Sequence, residues 1–114
     1  MKQISTLNGK LPIRYGWGTL STFADITGKA IDELIYAFKP DRLRPRQLSE
    51  FIFQGIKDGC KEEGIECPFK SYEDVEKLID SVGLKQVVKE TLAAFQASPF
   101  IMSDAKEEDE DKKK

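Results

Sequence analysis

Histidine is absent from this 114-residue chain. That removes the usual general base near neutral pH, the commonest transition-metal ligand, and every Ser-His or Cys-His pair. Cysteine is scarce. Cys60 and Cys67 are the only two, too few for a zinc site without histidine. They pair only if the fold brings them close, and two reduced thiols are the plainer expectation. No apolar run approaches the ~18 residues of a membrane span. The N-terminus lacks a charged-then-apolar stretch ending in small residues, so export by a signal peptide is not expected.

Net charge is also small. The formal value is −2, from 18 basic and 20 acidic residues. All of it resides in residues 103–114, where six acids (Asp104, Glu107, Glu108, Asp109, Glu110, Asp111) face four lysines. The remainder carries 14 of each sign. A balanced body exerts no global pull on nucleic acid, and it gives little protection from self-association. Against these absences stand 39% hydrophobic and 33% charged residues, a globular composition for one domain.

The N-terminus has the pattern of a β-hairpin. Gln3 to Leu7 alternates towards Asn8-Gly9, and Lys10 to Tyr15 leads away. Asn-Gly suits the two positive φ angles of a type I′ turn. Pro12 cannot donate to a ladder, so its strand is expected at an edge. Gly16-Trp17-Gly18 then opens a helix ending near Thr27, before Gly28, with Trp17, Leu20, Ala24 and Thr27 on one side and Phe23 beside them. A short helix is expected from Ala30 to Phe38, closed by Pro40. Pro45 suits the first turn of the next helix, expected from Arg46 to Glu63. Its face of Leu48, Phe51, Ile52, Ile56 and Cys60 includes Gly55 and Gly59. Glycine costs roughly 1 kcal/mol in a helix, so something is expected to approach the backbone there.

Ser71-Tyr72-Glu73-Asp74 has the form of a capped helix start, followed by the stripe Val75, Leu78, Ile79, Val82. After Gly83 a last helix is expected from Leu84 to Ala97, facing inward through Leu84, Val87, Val88, Leu92 and Phe95. Ser98-Pro99 stops it. Residues 103–114 have the composition of a disordered tail.

Little of this supports catalysis. Glu62-Glu63 and Glu73-Asp74 are neighbours about 100° apart on a helix, so spacing does not make them acid–base pairs. Gly16-Trp17-Gly18 lacks the third glycine and the lysine of a phosphate loop. No catalytic, cofactor-binding or metal-ligating residues are assigned, and no cofactor is expected. Arg42, Arg44 and Arg46, with Lys39, form a basic connector that offers an alternative reading as a small regulatory or nucleic-acid-binding module. Asp41 and Glu50 lie nearby, however, and no aromatic is interleaved. Tyr36, Phe53, Phe100, Ile101 and Met102 fall off the main stripes. Surplus apolar residues without chemistry point to binding another chain, and core packing with self-association accounts for them almost as well.

Three segments carry a resemblance. Asn8-Gly9-Lys10-Leu11-Pro12-Ile13-Arg14-Tyr15-Gly16-Trp17-Gly18-Thr19-Leu20, with the helix ending Ile26-Thr27-Gly28-Lys29, resembles the opening of tail assembly chaperones of long-tailed bacteriophages and prophages. The run Leu48-Ser49-Glu50-Phe51-Ile52-Phe53-Gln54-Gly55-Ile56-Lys57-Asp58-Gly59 is similar to that family's apolar second landmark. Ser71-Tyr72-Glu73-Asp74-Val75-Glu76-Lys77-Leu78-Ile79-Asp80 resembles its third. The likeness spans roughly residues 7 to 97. The stretches 39–46 and 60–67 match no family pattern.

This resemblance implies a non-enzymatic protein of the infected host's cytoplasm, not part of the mature virion. Its implied partners are the tape-measure protein, which it coats, and the tail-tube protein. Many family members also have a frameshifted longer form, and the A-rich codons of Lys112-Lys113-Lys114 fit a slippery site as well as they fit a plain charged tail. The expected architecture is α+β. An N-terminal hairpin packs on four to five helices in one domain over residues 1–102, with a tail over 103–114. Tyr36, Phe53, Phe100, Ile101 and Met102 are the expected partner-binding residues. A homo-oligomer is compatible, and no membrane association is expected.

Overall fold

The computed structural model describes residues 1–30 and 43–101. The expected helix from Ala30 to Phe38 beyond its first residue, the charged tail, and the candidates Tyr36, Arg42 and Met102 lie outside the described residues; Ala30 itself is not helical. Within them the architecture is α+β: a two-stranded antiparallel hairpin followed by helices. The elements are β1 (Gln3–Thr6), β2 (Gly9–Pro12), α1 (Trp17–Thr27), α2 (Pro45–Glu63), α3 (Tyr72–Val82) and α4 (Leu84–Gln96). Among the described residues, no helix is long and apolar enough to cross a membrane.

The hairpin pairs Gln3 with Pro12 and Thr6 with Gly9, which makes Leu7-Asn8 the two-residue loop. The expected Asn8-Gly9 turn is therefore shifted by one residue. Gly9 alone takes a positive φ, at 138°, while Asn8 does not. The Thr6 hydroxyl accounts for the shift. It accepts from the Asn8 N–H (3.3 Å) and donates to the Gly9 carbonyl (3.1 Å), closing the turn with a side chain.

Two strands are marginal alone, and each leans on helices. β2 lies on α2, while β1 lies on α3 and α4. The two glycines of α2 make the first contact possible. A Cβ on Gly59 would sit 2.5 Å from the Pro12 carbonyl carbon, and one on Gly55 would sit 2.4 Å from Tyr15 Cζ. The close approach expected from these glycines is that of the chain leaving the hairpin. There the Arg14 N–H donates to the Gly55 carbonyl at 3.0 Å, and the Tyr15 hydroxyl donates to the Phe51 carbonyl at 2.9 Å. On β1, the Ser5 N–H and hydroxyl both donate to the Glu90 carboxylate (3.0 and 2.9 Å), covering an edge of the sheet.

Helix ends follow local chemistry. Gly28 and Gly64 each take a left-handed φ of 71° and return an N–H to the preceding turn. Ser71 caps α3, its hydroxyl accepting from the Glu73 N–H at 3.2 Å. The Lys70 N–H donates to Asp74 (2.7 Å) and holds that carboxyl below the usual range.

The core is centred on α2. Tyr15 stacks on Phe51 with centroids 4.3 Å apart, and Phe23 and Phe95 meet Phe51 edge-on. Ile4, Ile13, Leu20, Ile52, Ile56, Val75 and Val87 are sealed around them. Two expected faces are corrected. α4 buries Val87, Thr91, Ala94 and Phe95, while Leu84 is 54% exposed. Its face is rotated because Thr91 satisfies its own hydroxyl on the Val87 carbonyl (2.8 Å), so a polar residue fits inside. Trp17, expected on one side of α1 with Leu20, Ala24 and Thr27, is 52% exposed at the start of that helix.

Candidate partner-binding surface

Gly16, the residue that caps α1, has no side chain with which to satisfy the helix's first N–H groups. Asp58, in the C-terminal half of α2, takes up the N–H of Gly16 itself and braces the residues on either side. Its Oδ2 accepts from the Gly16 N–H (2.8 Å) and the Thr19 hydroxyl (2.7 Å), and its Oδ1 accepts from Arg14 Nη1 (2.9 Å). A carboxylate also suits the positive end of the α1 dipole. This junction fixes where α1 begins, and so fixes Trp17.

Trp17 has two neighbours of interest. On one side its ring meets Phe100 edge-on, with centroids 5.3 Å apart at 81°. Phe100 and Ile101 belong to a single helical turn over 99–101, half-buried on the core. The buried Ser98 starts that turn. Its hydroxyl donates to the Phe95 carbonyl (2.6 Å), and its own carbonyl accepts from the Ile101 N–H (3.0 Å). On the other side Trp17 lines an open groove of about 870 Å³ between α1 and the C-terminal half of α2. Thr22, Lys57, Lys61, Ile65 and Cys67 contribute to its walls, and Ile65 is 48% exposed. The result is an amphipathic surface: an aromatic pair, an adjoining trough, and lysines along it.

The structure treats the sequence candidates unequally. Phe100 is brought to this surface, while Ile101, in the same turn, is half-buried against the core. Phe53 is not brought to it; it is 8% exposed and belongs to the core. The expectation that it lies off the packed face fails because α2 is central. β2 and α1 pack on it, and so does α3, so Phe51, Ile52 and Phe53 are all buried in succession. Lys57 Nζ lies 5.3 Å from the Phe53 ring centroid. Trp17 is instead the exposed aromatic of this surface. The signal that could have found it is its position at the very start of a helix, where the core face has barely begun.

Of the basic connector, Arg44 and Arg46 are exposed. The Arg46 guanidinium lies over the Tyr72 ring at 4.7 Å and 3.9 Å from Glu76 Oε2. It ties the start of α2 to α3. The Arg44 N–H donates to Gln47 Oε1 at 3.4 Å, half of a capping box.

No match emerges when the chain is compared with protein-family models, curated proteins and solved structures. The functional reading therefore rests on the residues themselves. Asp58, the more enclosed of the two carboxylates lining the groove, accepts from Arg14, Gly16 and Thr19 within the fold. Among the described residues no group of three or more cysteines, aspartates and glutamates is placed to hold a metal ion.

Proposed function

We propose that this chain is a phage or prophage tail assembly chaperone. It binds the tape-measure protein and assists tail-tube assembly in the host cytoplasm through protein–protein contacts, without catalysis. The sequence resemblance over residues 7 to 97 motivates the family. The observation that carries the binding mode is the Trp17–Phe100 pair, with Trp17 52% exposed and 5.3 Å from its partner ring. An exposed aromatic anchor beside a trough suits a helix laid in a groove. Tape-measure chains are expected to be long, helical and amphipathic, and aromatic anchors dominate such interfaces.

Co-expression tests this reading. A tape-measure fragment expressed with the wild-type chain should stay soluble and co-purify at high salt. Trp17→Asp should abolish that rescue while leaving the circular dichroism spectrum native, because an acidic residue is favourable in the first turn of a helix. Phe53→Asp is unsuitable as a probe, since it would bury an unpaired charge in the core. Rescue by Trp17→Asp equal to wild type would remove this surface from the account. Retention of the wild-type chain on DNA, lost as salt rises, would instead favour the reading through Arg42, Arg44 and Arg46.

A further inference from the structure

Cys60 lies in the last turn of α2 and is 1% exposed. Immediately beyond, the chain reverses. Gly64 takes its left-handed φ, and the Ile65 N–H donates back to the Cys60 carbonyl at 2.9 Å. Cys67, two residues further on, is half-buried and packs against the cluster that contains Cys60. Both residues line the groove beside Trp17. Both are free in this structure.

We propose that Cys60 and Cys67 are a modification site, a dithiol that converts reversibly to an intrachain disulfide stapling the 64–67 turn to the end of α2. The co-reactant is a small-molecule disulfide such as glutathione disulfide. Cys67, the more open sulfur, attacks it as a thiolate. A Cys67–glutathione S–S bond forms, the oxidant's S–S bond breaks, and one glutathione thiolate leaves and takes up a proton. Cys60 then gives its proton to solvent and attacks Cys67 Sγ. The Cys60–Cys67 bond forms, and the second glutathione leaves and is protonated. Overall the two thiols lose two hydrogens and two electrons, and one glutathione disulfide becomes two glutathiones.

The roles of the two sulfurs are unequal. Burial first, and then the charge and hydrogen bond of Cys67, push the Cys60 thiol up to about 11. Cys60 is therefore a poor first nucleophile. The site is independent of the function proposed above.

Intact-mass measurement tests it on the full chain. The protein is equilibrated at about pH 8, where thiols are partly ionised, over a range of glutathione to glutathione disulfide ratios. It is then acid-quenched and alkylated. As oxidant rises, wild type should pass from a doubly alkylated form to an unalkylated monomer lighter by two hydrogens, reversed by dithiothreitol. Cys60→Ser should stop at a stable glutathione adduct on Cys67. Cys67→Ala should gain an adduct more slowly than Cys60→Ser, with the same circular dichroism spectrum. Hydrogen exchange over 64–67 should slow in the oxidised form. The proposal is overturned if wild type stops at the mixed disulfide, or keeps both thiols under excess oxidant. It is also overturned if the folded pair oxidises no more readily than the urea-unfolded chain, or if exchange over 64–67 is unchanged by oxidation.

Discussion

Replacing Gly59 by alanine sets two effects of opposite sign against each other. Alanine is the better helix former by roughly 1 kcal/mol, so propensity alone makes Gly59→Ala stabilising. The structure says otherwise. The new Cβ would lie 2.5 Å from the Pro12 carbonyl carbon, 2.6 Å from its oxygen and 2.7 Å from the Ile13 nitrogen. These are backbone atoms and cannot swing aside as a flexible side chain would. Overpacking costs roughly 1–3 kcal/mol, and rigid backbone places this site at the upper end. Moving the segment also strains the Arg14 N–H to Gly55 carbonyl bond one turn away, whose loss costs about 1 kcal/mol. With the propensity gain subtracted, Gly59→Ala should destabilise by about 2–3 kcal/mol, lowering the melting temperature by roughly 10–20 °C. Gly18→Ala is the control. A Cβ there meets nothing within 4 Å, so that variant should hold or gain up to roughly 0.5 kcal/mol. Thermal and urea melts followed by circular dichroism read both. If Gly59→Ala is as stable as Gly18→Ala, the close crossing of the hairpin over α2 is wrong.

Asp58→Ala should cost about 2–4 kcal/mol, since one carboxylate serves a helix N-terminus, a hydroxyl and a guanidinium. A urea midpoint shift of that size, with amide exchange rising at Gly16 to Leu20, is the expected result. Tyr15 is sealed in the core. Burial first, and the nearby Asp58 second, raise its phenol well above its ordinary 10. Below pH 10 both folded and unfolded chains keep this proton, and its contribution is fully present. Above pH 10 the unfolded chain releases it first, so stability falls as pH rises until the folded phenol itself ionises. In an absorbance titration one of the three tyrosines should fail to ionise until the chain unfolds. Tyr15→Phe should remove that step and cost about 1–2 kcal/mol for the orphaned Phe51 carbonyl.

Much of the fold could be read from glycine and serine because their effects are local. Gly28, Gly64 and Gly83 end helices through their own backbone freedom, and Ser71 caps through its own hydroxyl. Gly55 and Gly59 were informative for a related reason: paired glycines on an apolar helix face leave a slot, and the hairpin exit fills it. What could not be read depends on partners distant in sequence. Asp58 looks like any exposed helical acid until Gly16 and Thr19 arrive from about forty residues away. Phe53 looks peripheral until α2 is found to have neighbours on several sides. Periodicity gives the apolar face of a helix with one neighbour, but it misjudges a helix that has several. The same limit misplaced Trp17, which shares its helix's apolar side but sits at the end where the core runs out. That Cys60 and Cys67 line one groove follows from the reversal at Gly64, which no spacing rule specifies.

Trp17 is the only tryptophan in the chain and is 52% exposed, so it reports directly on the surface assigned to the client. Its emission should be followed while an amphipathic helical fragment of a tape-measure protein is titrated in. The account predicts a saturable blue shift as the indole leaves water, weakened when Phe100 is replaced by alanine. An emission spectrum that does not move, at concentrations where the two proteins co-purify, would contradict it.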